Sequence, residues 1–502
     1  MRQIRESLRR AGLTGAVATV LLAILVAVPI AALALDAPSP ERDTPGARAA
    51  GAELRGFGSC AAVKRYARRH SEAIGGYGVG GGAVAEDGGA PVTAAPGDAG
   101  GAAAAGGSGS TTSETNVQEA GIDEPDIVKA SGSRVFAVAD GKLRALDVSG
   151  ASPVELGSLG LSKLGGGKDD SADAAYGQEL LLDGDRLLVL AQSSSTTADY
   201  YYTPETLLSE VDVSDPTAMK LVRTLRVDGG YVDARLSEGT ARVVVSSSPT
   251  YAFGELPPVG GGGIVEPQPR PQRRRAGGLV PNTVLTDQTT GASEKRRLLP
   301  CREIRRPRRF SGLEMLSVLT LDLAKGIEPV DTDSIMTQGD TVYSSADALY
   351  VATERWLPFD ATEKRASAVT TAIHKFALGP GETAYTSSGE VPGFMLSQWS
   401  LSEQDGLLRV ASTGESPEFE VGDRESFVTV LGEVGDKLAE VGQVGGLGRG
   451  EQIYAVRFIG DVAYVVTFRQ VDPLYTVDLS TPTDPTVLGE LKVPGYSAYL
   501  HP

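Results

Sequence analysis

From about residue 113 onward, short apolar runs rich in strand-forming residues alternate with polar turn signals. In each repeat a turn precedes one run, and a second run ends close to an aspartate or another turn. This pairing occurs six times. The pairs are Arg134–Ala139 with Leu143–Val148, Arg186–Leu190 with Leu207–Val213, Ala241–Val245 with Ser317–Leu323, Ala348–Thr353 with Thr371–Ala377, Gly406–Ser412 with Ser426–Val430, and Val462–Thr467 with Leu474–Leu479.

The spacing of the second runs predicts the fold. Most follow one another after about 50 to 65 residues, the length of a four-stranded propeller blade with its loops. The gap between Asp212 and Asp322 is about twice as long, which predicts an insertion at about residues 251–310, between the middle strands of blade three. We therefore predict an all-β protein, a β-propeller of about six visible blades over residues 113–502. The helices of a parallel α/β fold are missing from the pattern, and a β-sandwich is the alternative.

The start of the chain has a different pattern. Basic residues (Arg2, Arg5, Arg9 and Arg10) precede an uncharged run from Ala11 to Leu35, long enough for a hydrocarbon core of about 30 Å. Residues 1–35 are thus predicted as a cytoplasmic stub and a transmembrane signal anchor, with the propeller outside the cell membrane. A cleaved signal peptide, which would give a secreted protein, is the alternative because Ala32-Leu33-Ala34 resembles a cleavage site.

Residues 36–112 are predicted as a linker. Within it, residues 59–74 have the pattern of one short amphipathic helix, with Ser59 as its N-cap and Gly75-Gly76 at its end. The face that this helix would bury contains Cys60, Val63, Tyr66, Ala67 and Ile74. From Gly75 to residue 112 the chain is dominated by glycine, alanine, serine and threonine, which predicts a flexible tether.

Composition excludes several kinds of site. The net charge of −17 argues against nucleic acid as a partner. The three histidines, His70, His374 and His501, are far apart in sequence, so neither a Cys/His metal site nor a Ser/His/Asp triad is indicated. His374 lies inside a strand-like run, where a structural role is expected. We predict no catalytic, cofactor-binding or metal-binding residues.

An acidic cluster precedes the first repeat. Asp123, Glu124 and Asp126 surround Pro125, and three carboxylates so close together are one way to bind Ca²⁺. No calcium-loop pattern accompanies them. The interpretation we favour is an entry turn whose charges are solvated or pair with Lys129.

Three segments resemble a known family. They are Ser113–Gly132, Gly389–Val410 and Gly450–Pro502. They resemble the secreted bacterial and archaeal proteins called the beta propeller domain family, and the resemblance covers residues 113–502. It implies the fold and an exported location but no reaction. Family members continue past the final YLHP motif, so the chain resembles a truncated member, with an incomplete ring of blades. An open ring exposes a sheet edge, and we expect poor stability when the chain is produced alone.

The two cysteines, Cys60 and Cys301, both fall on the exported side of the predicted anchor, where disulfides persist. A bridge between them would join the linker helix to the insertion and is the structural site that we predict. Closing so long a loop is worth about 4 kcal/mol or more by chain entropy. Two unpaired thiols, or pairing between chains, are the alternatives.

The insertion reverses the sign of the chain's charge. Its basic residues are Arg270, Arg273, Arg274, Arg275, Lys295, Arg296, Arg297, Arg302, Arg305, Arg306, Arg308 and Arg309. Outside a membrane they suit anionic lipid headgroups or acidic envelope polymers. The interpretation that we favour is a disordered, solvated loop that pairs with the acidic remainder of its own domain.

Together these patterns predict an exported, membrane-anchored β-propeller that acts as a binding or scaffold module at the cell envelope. Its expected partners are the membrane, through the N-terminal helix, and an unidentified protein or envelope polymer. The complete protein is expected to be a monomer. The alternative is an envelope hydrolase or oxidoreductase with its site in the propeller channel, which rests on fold analogy alone.

Overall fold

The computed structural model describes residues 53–75, 118–161, 175–196, 202–247, 280–339, 341–356, 369–415, 424–468, 472–493 and 500. The chain divides into two compact units, Met1–Arg48 and Ala49–Pro502, and all described residues belong to the second. The predicted membrane segment, the Gly/Ala tether, the first four arginines of the insertion and His501 lie outside these ranges. No helix in the described ranges is long and apolar enough to cross a membrane.

In the described ranges, six antiparallel four-stranded units, the blades, follow one another after a short strand β1 (Leu54–Gly56) and a helix α1 (Cys60–Gly75). A single parallel bridge between Ser388 and Lys437 joins the fourth strands of blades four and five into one eight-stranded sheet. Blade one comprises β2 (Val128–Ser131), β3 (Arg134–Ala139), β4 (Lys142–Asp147) and β5 (Val154–Gly160). Blade two comprises β6 (Tyr176–Asp183), β7 (Arg186–Thr196), β8 (Tyr202–Asp212) and β9 (Lys220–Asp228). Blade three starts with β10 (Gly230–Ser237) and β11 (Thr240–Ser247). Its insertion holds β12 (Asn282–Asp287), β13 (Ser293–Arg297) and β14 (Ile304–Pro307), and it ends with β15 (Met315–Asp322) and β16 (Asp331–Met336).

The later blades have no insertion among the described residues. Blade four comprises β17 (Thr341–Ser344), β18 (Ala348–Trp356), β19 (Val369–Gly379) and β20 (Glu382–Pro392). Blade five comprises β21 (Leu401–Gln404), β22 (Leu407–Glu415), β23 (Arg424–Val434) and β24 (Lys437–Leu447). Blade six comprises β25 (Gln452–Ile459), β26 (Val462–Phe468), β27 (Asp472–Asp478) and β28 (Thr486–Val493). All twelve predicted runs fall on the second and third strands of these blades.

The core lies between consecutive blades, because the middle strands are apolar on both faces. The segment Arg186–Leu190 (RLLVL) illustrates this: Leu188 and Leu190 pack towards blade three, while Leu187 and Val189 pack towards blade one. Equivalent clusters join the remaining neighbours up to blade six. Burial on both sides explains why these strands carry uninterrupted apolar runs.

Tight turns link the strands within blades. Asp140-Gly141 and Asp405-Gly406 both have two successive residues with positive φ, 52° and 68° in the first pair and 53° and 75° in the second. This is the geometry of a type I′ turn, whose twist matches that of the flanking strands. The Asp-Gly turn signals in the sequence therefore correspond to real hairpins.

The described part of the insertion is folded. β12 pairs with β9, and β13 pairs with β12, so the hairpin widens blade two. β14 pairs in parallel with β16, and β1 pairs with β14, so both widen blade three. A disordered, solvated loop is therefore the wrong description of residues 280–310, because their backbone groups pair with two blades.

Helix α1 begins as predicted, with the backbone N–H of Ala62 donating to Ser59 Oγ at 3.3 Å. Val63, Tyr66 and Ala67 are buried on one face. A disulfide joins Cys60 to Cys301, across a sequence separation of 241. The predicted bridge is thus present, and it fastens the helix to the insertion.

Candidate functional site

One short segment touches the first strands of four blades in turn. In residues 118–126, here called the crossing segment, Gln118 Nε2 donates to the Leu401 carbonyl of blade five at 2.7 Å. Glu119 accepts a hydrogen bond from Tyr343 of blade four at 2.7 Å. The chain then continues to blades three and two.

The second half of the crossing segment pairs with backbone. Asp123 exchanges two backbone hydrogen bonds, of 2.8 and 2.9 Å, with Leu236 in the first strand of blade three. Asp126 exchanges two more, of 3.3 and 2.8 Å, with Leu180 in the first strand of blade two. The chain then enters β2, the first strand of blade one. The crossing segment therefore joins the inner strands of five consecutive blades.

The acidic cluster of the crossing segment is held by a buried lysine. Lys129 is 4% exposed, and its ammonium lies 2.6 Å from Asp123 Oδ1 and also donates to the Glu124 carbonyl. A buried ammonium needs such partners, because taking it out of water unpaired is costly. The predicted pairing with Lys129 is confirmed for Asp123. No group of three or more potential metal ligands occurs in the described residues.

Arg235 is the centre of the site. Its side chain is 3% exposed, and its guanidinium donates to Asp233 of its own strand, to Gln398 in the short 3-10 turn before blade five, and to the Val342 carbonyl of blade four at 3.1 Å. Glu124 of the crossing segment lies 3.9 Å away. A guanidinium presents five donors in a rigid fork, so one side chain can connect blades three and four with the turn that leads into blade five.

Burial changes the acidity of the surrounding groups. The pKa of Glu124 is raised, first by burial, while Arg235 opposes the rise and Asp233 adds to it. Burial also raises the pKa of Glu119, against the hydrogen bond from Tyr343. Glu179, which accepts a hydrogen bond from a tyrosine at 3.0 Å, has a pKa raised mainly by burial. Carboxyl groups with raised pKa values are common at functional sites, although structural networks also contain them.

A second arm of the network lies between blades four and five. The Tyr343 hydroxyl donates to Glu119 and accepts from the backbone N–H of Glu403 at 2.7 Å, so both of its roles are filled. The Glu403 carboxylate lies 3.9 Å from the ammonium of Lys375. Burial, followed by the nearby Glu119 carboxylate, raises the pKa of Tyr343 far above its usual value, so the phenol stays neutral.

His374 has the structural role that its position predicts. It is fully buried in β19, and Nδ1 lies 2.7 Å from Ser388 Oγ. Burial lowers its pKa to about 3, so the ring is neutral at physiological pH. Ser388 Oγ also lies 2.9 Å from the hydroxyl of Tyr385. We assign the histidine to the packing of blade four.

One small cavity, between blades two and three, has a volume of about 10 Å³, and Glu210 and Ile327 are among the residues that line it. That volume is enough for about one water molecule.

Sequence reasoning missed the network, although its first strands carried a signal. The run Gly230–Ser237 (GYVDARLS) places Asp233 and Arg235 two residues apart, on the same face of a strand. The first strand of a propeller blade lies at the inner edge of that blade. Charged residues on such a strand therefore indicate that polar groups meet at the centre of the propeller. Their partners were not predictable, because Gln398 is 163 residues away from Arg235.

A protein-family model described as the beta propeller domain matches residues 112–502. An uncharacterized protein of Methanocaldococcus jannaschii is 28% identical over 432 residues, which cover 78% of this chain and 63% of that protein. An uncharacterized protein of Archaeoglobus fulgidus is 30% identical over 453 residues, which cover 78% of this chain and 65% of that protein. The chain thus spans less than two thirds of the length of either relative.

The solved structures that this chain resembles have low TM-scores against it. An uncharacterized protein of Listeria monocytogenes has a TM-score of 0.26 at 7% identity, over 76% of this chain and 87% of that chain. The apocarotenoid oxygenase of Synechocystis has a TM-score of 0.28 at 10% identity, over 74% of this chain and 72% of that chain. Scores of this size support no statement about activity. The family model, in contrast, spans all six blades, and the chain therefore belongs to the beta propeller domain family.

Proposed function

We propose that this protein is an exported, membrane-anchored binding or scaffold module of the cell envelope, whose partners contact the outer surfaces of the blades. The observation that supports this most strongly is the crossing segment. It occupies the inner edges of the blades, where a propeller enzyme would hold its substrate.

The chemistry of the inner strands supports the same proposal. Arg235, Lys129 and Tyr343 donate hydrogen bonds to groups of the protein itself. A ligand at this position would have to displace those bonds and leave charges without partners, at a cost of several kcal/mol. Such a network suits a rigid frame better than a binding pocket.

The location in the proposal rests on the sequence. The basic residues before the apolar run Ala11–Leu35 favour export of the remainder. The disulfide between Cys60 and Cys301 agrees with an oxidising compartment, where such bonds persist.

Photo-crosslinking in intact cells tests the proposal. Benzoylphenylalanine is placed at exposed positions on outer strands and hairpins (Val154, Thr289 and Leu488) and, separately, at the exposed Ala120 of the crossing segment. Adducts with envelope macromolecules at outer positions, and none at Ala120, are expected. Adducts confined to Ala120 would overturn the proposal. Recovery of the full chain in the cytosolic fraction would overturn its location.

The alternative is a hydrolase or oxidoreductase with its site at the inner strands. The raised pKa values of Glu119 and Glu124 are the observation in its favour, because protonated carboxyls serve as general acids. A turnover by the full chain that E119Q abolishes would support this alternative. The matched control is E155Q, which changes an exposed glutamate of blade one.

A further inference from the structure

Two segments that are far apart in sequence form one layer beside blade three. Residues 53–75 and residues 293–310, here called the clamp layer, are joined by the pairing of β1 with β14 and by the disulfide. The ring of His70 stacks on Phe310 with centroids 4.3 Å apart. The Arg306 guanidinium lies 4.7 Å from the centroid of the Tyr66 ring. The two segments therefore form one continuous surface.

The clamp layer is strongly basic. Its two segments hold thirteen lysines and arginines against four acidic residues, in a chain of net charge −17. Most of these cations are exposed. They are Arg55, Lys64, Arg65, Arg68, Arg69, Lys295, Arg296, Arg297, Arg302, Arg308 and Arg309. We call this set the basic face.

Helix α1 contributes to the basic face through its periodicity. Val63, Tyr66 and Ala67 point into the clamp layer and are buried. The opposite side of the helix is exposed and contains Lys64, Arg65, Arg68 and Arg69. Four cations therefore project from two turns of one helix.

Neighbouring acids neutralise only part of the basic face. Arg296 pairs with Glu294 and Glu328, and Arg308 lies 3.5 Å from Glu53. In the described residues, no ion pair joins Lys64, Arg65, Arg69 or Arg309 to an acidic side chain. The helix side of the layer thus keeps a positive field outside the protein.

We propose that the basic face binds the anionic phospholipid surface of the membrane from which the chain emerges. The proposal rests on the envelope location proposed above. Residues 36–52 join the predicted membrane segment to the clamp layer, and even fully extended they reach no farther than about 60 Å. Lys and Arg close to an anionic bilayer are attracted to its headgroups. The clamp layer then fixes the orientation of the propeller against the membrane.

The test is hydrogen exchange of the full chain in lipid nanodiscs. Discs of phosphatidylcholine alone are compared with discs that also contain phosphatidylglycerol. The basic face predicts slower exchange of residues 60–75 and 293–309 in the anionic discs, and loss of that difference at high salt. Equal exchange in both kinds of disc would overturn the proposal. Protection by soluble polyphosphate, but not by anionic discs, would overturn it in favour of an acidic polymer.

Paired variants separate a specific surface from a general effect of charge. R65E/R69E changes two exposed residues of α1. It is expected to lower the ratio of lipid-bound to lipid-free clamp layer, calculated from the slowed exchange in anionic discs, by about thirtyfold. R134E/K142E makes the same change in net charge on exposed positions of blade one and is expected to have no effect. Equal losses in both variants would contradict the proposal. Circular dichroism checks that both remain folded.

The disc experiment distinguishes failure of the lipid-binding proposal from failure of the proposed envelope location. The discs present lipid to the purified chain wherever that chain resides in the cell. A chain recovered from the cytosol that still responds to phosphatidylglycerol would overturn the location but not the basic face. A membrane-bound chain that ignores phosphatidylglycerol would overturn the basic face but not the location.

Discussion

Gly157 of β5 lies directly against the carbonyl of Pro216 in the next blade, so close that a Cβ at this glycine would be 2.5 Å from that oxygen. The same contact recurs between blades five and six, where a Cβ on Gly442 would be 2.4 Å from the Pro482 carbonyl. In both places the turn after a third strand rests on the fourth strand of the preceding blade. These glycines set the distance between blades.

Gly157→Ala should therefore destabilise the propeller. The obstacle is backbone, which cannot rotate away, so we expect the free energy of unfolding to fall by about 1–3 kcal/mol. Chemical denaturation of the full chain measures it. Gly160→Ala in the same strand is the control, because a Cβ at that glycine would meet no atom within 4 Å. Equal effects of the two substitutions would show that blade spacing is not the cause.

The aspartates that end the third strands stabilise the same turns. Asp212 Oδ1 accepts from the N–H and the hydroxyl of Ser214 at 3.0 and 2.7 Å. Asp147, Asp322 and Asp478 accept from the backbone two residues on, at 2.8 to 3.1 Å. The pKa of all four carboxyls is lowered. The largest cause is the side chain of Ser214 for Asp212 and of Ser480 for Asp478, the backbone N–H of Ser149 for Asp147, and the hydrogen bond from Lys325 for Asp322.

This arrangement predicts a pH dependence. A carboxyl with a lower pKa in the folded state adds stability above its unfolded pKa of about 3.9, and loses it as the pH falls through the folded value. Acid should therefore destabilise the wild type below about pH 4. The variant D147N/D212N/D322N/D478N keeps the acceptor oxygens, and its midpoint of thermal unfolding should vary less over that range. An unchanged slope would contradict the assignment, and D405N in an Asp-Gly turn is the control.

The disulfide should matter most for the clamp layer. Chain entropy sets an upper value of about 5 kcal/mol for a loop of this length, and measured values often fall below it. We expect C60A/C301A to raise the exchange rate of α1 more than that of the blades. Reduced wild type should behave in the same way as the variant. If α1 exchanges at its original rate in both, the apolar contacts of Val63 and Tyr66 hold the helix without the bond.

Arg235 should be required for the inner network. Arg235→Met leaves the half-buried Asp233 and Glu124 without their cation, and we expect a loss of about 3 kcal/mol in unfolding free energy, the lower end of the range for a fully buried pair. R235M/E124Q/D233N removes those charges and should recover part of that loss. Arg134→Met, at an exposed position of blade one, is the control and should change stability by no more than about 0.5 kcal/mol. No recovery in the triple variant would show that the charges are not the cause.

The sequence predicted the middle strands well, for a physical reason. β7 is buried on both faces and β26 on most of its length, so their apolar runs are easily recognised. First and fourth strands escaped notice because they carry polar groups: β9 (KLVRTLRVD) and β20 (ETAYTSSGEVP) resemble loops by composition. The hairpin of β12 and β13 was hidden in the same way, since β13 (SEKRR) is entirely exposed.

The candidate site was predictable only in part. Lys129 lies six residues from Asp123, so their pairing could be read from local sequence. The contact of Gln118 with Leu401 spans 283 residues and depends on the order in which the blades pack. Long-range polar contacts of this kind have no periodic signal. The disulfide was predictable because a chain with two cysteines leaves few pairings.

Hydrogen exchange of residues 118–126 in the full chain tests the central claim most directly, namely that the crossing segment closes the inner edges of the blades. The amides of Asp123 and Asp126 bond to the first strands, so we expect them to exchange as slowly as β6 and β10 do. Exchange at the rate of an unstructured peptide would contradict the account, because the segment would then be detached and the inner strands open to a ligand.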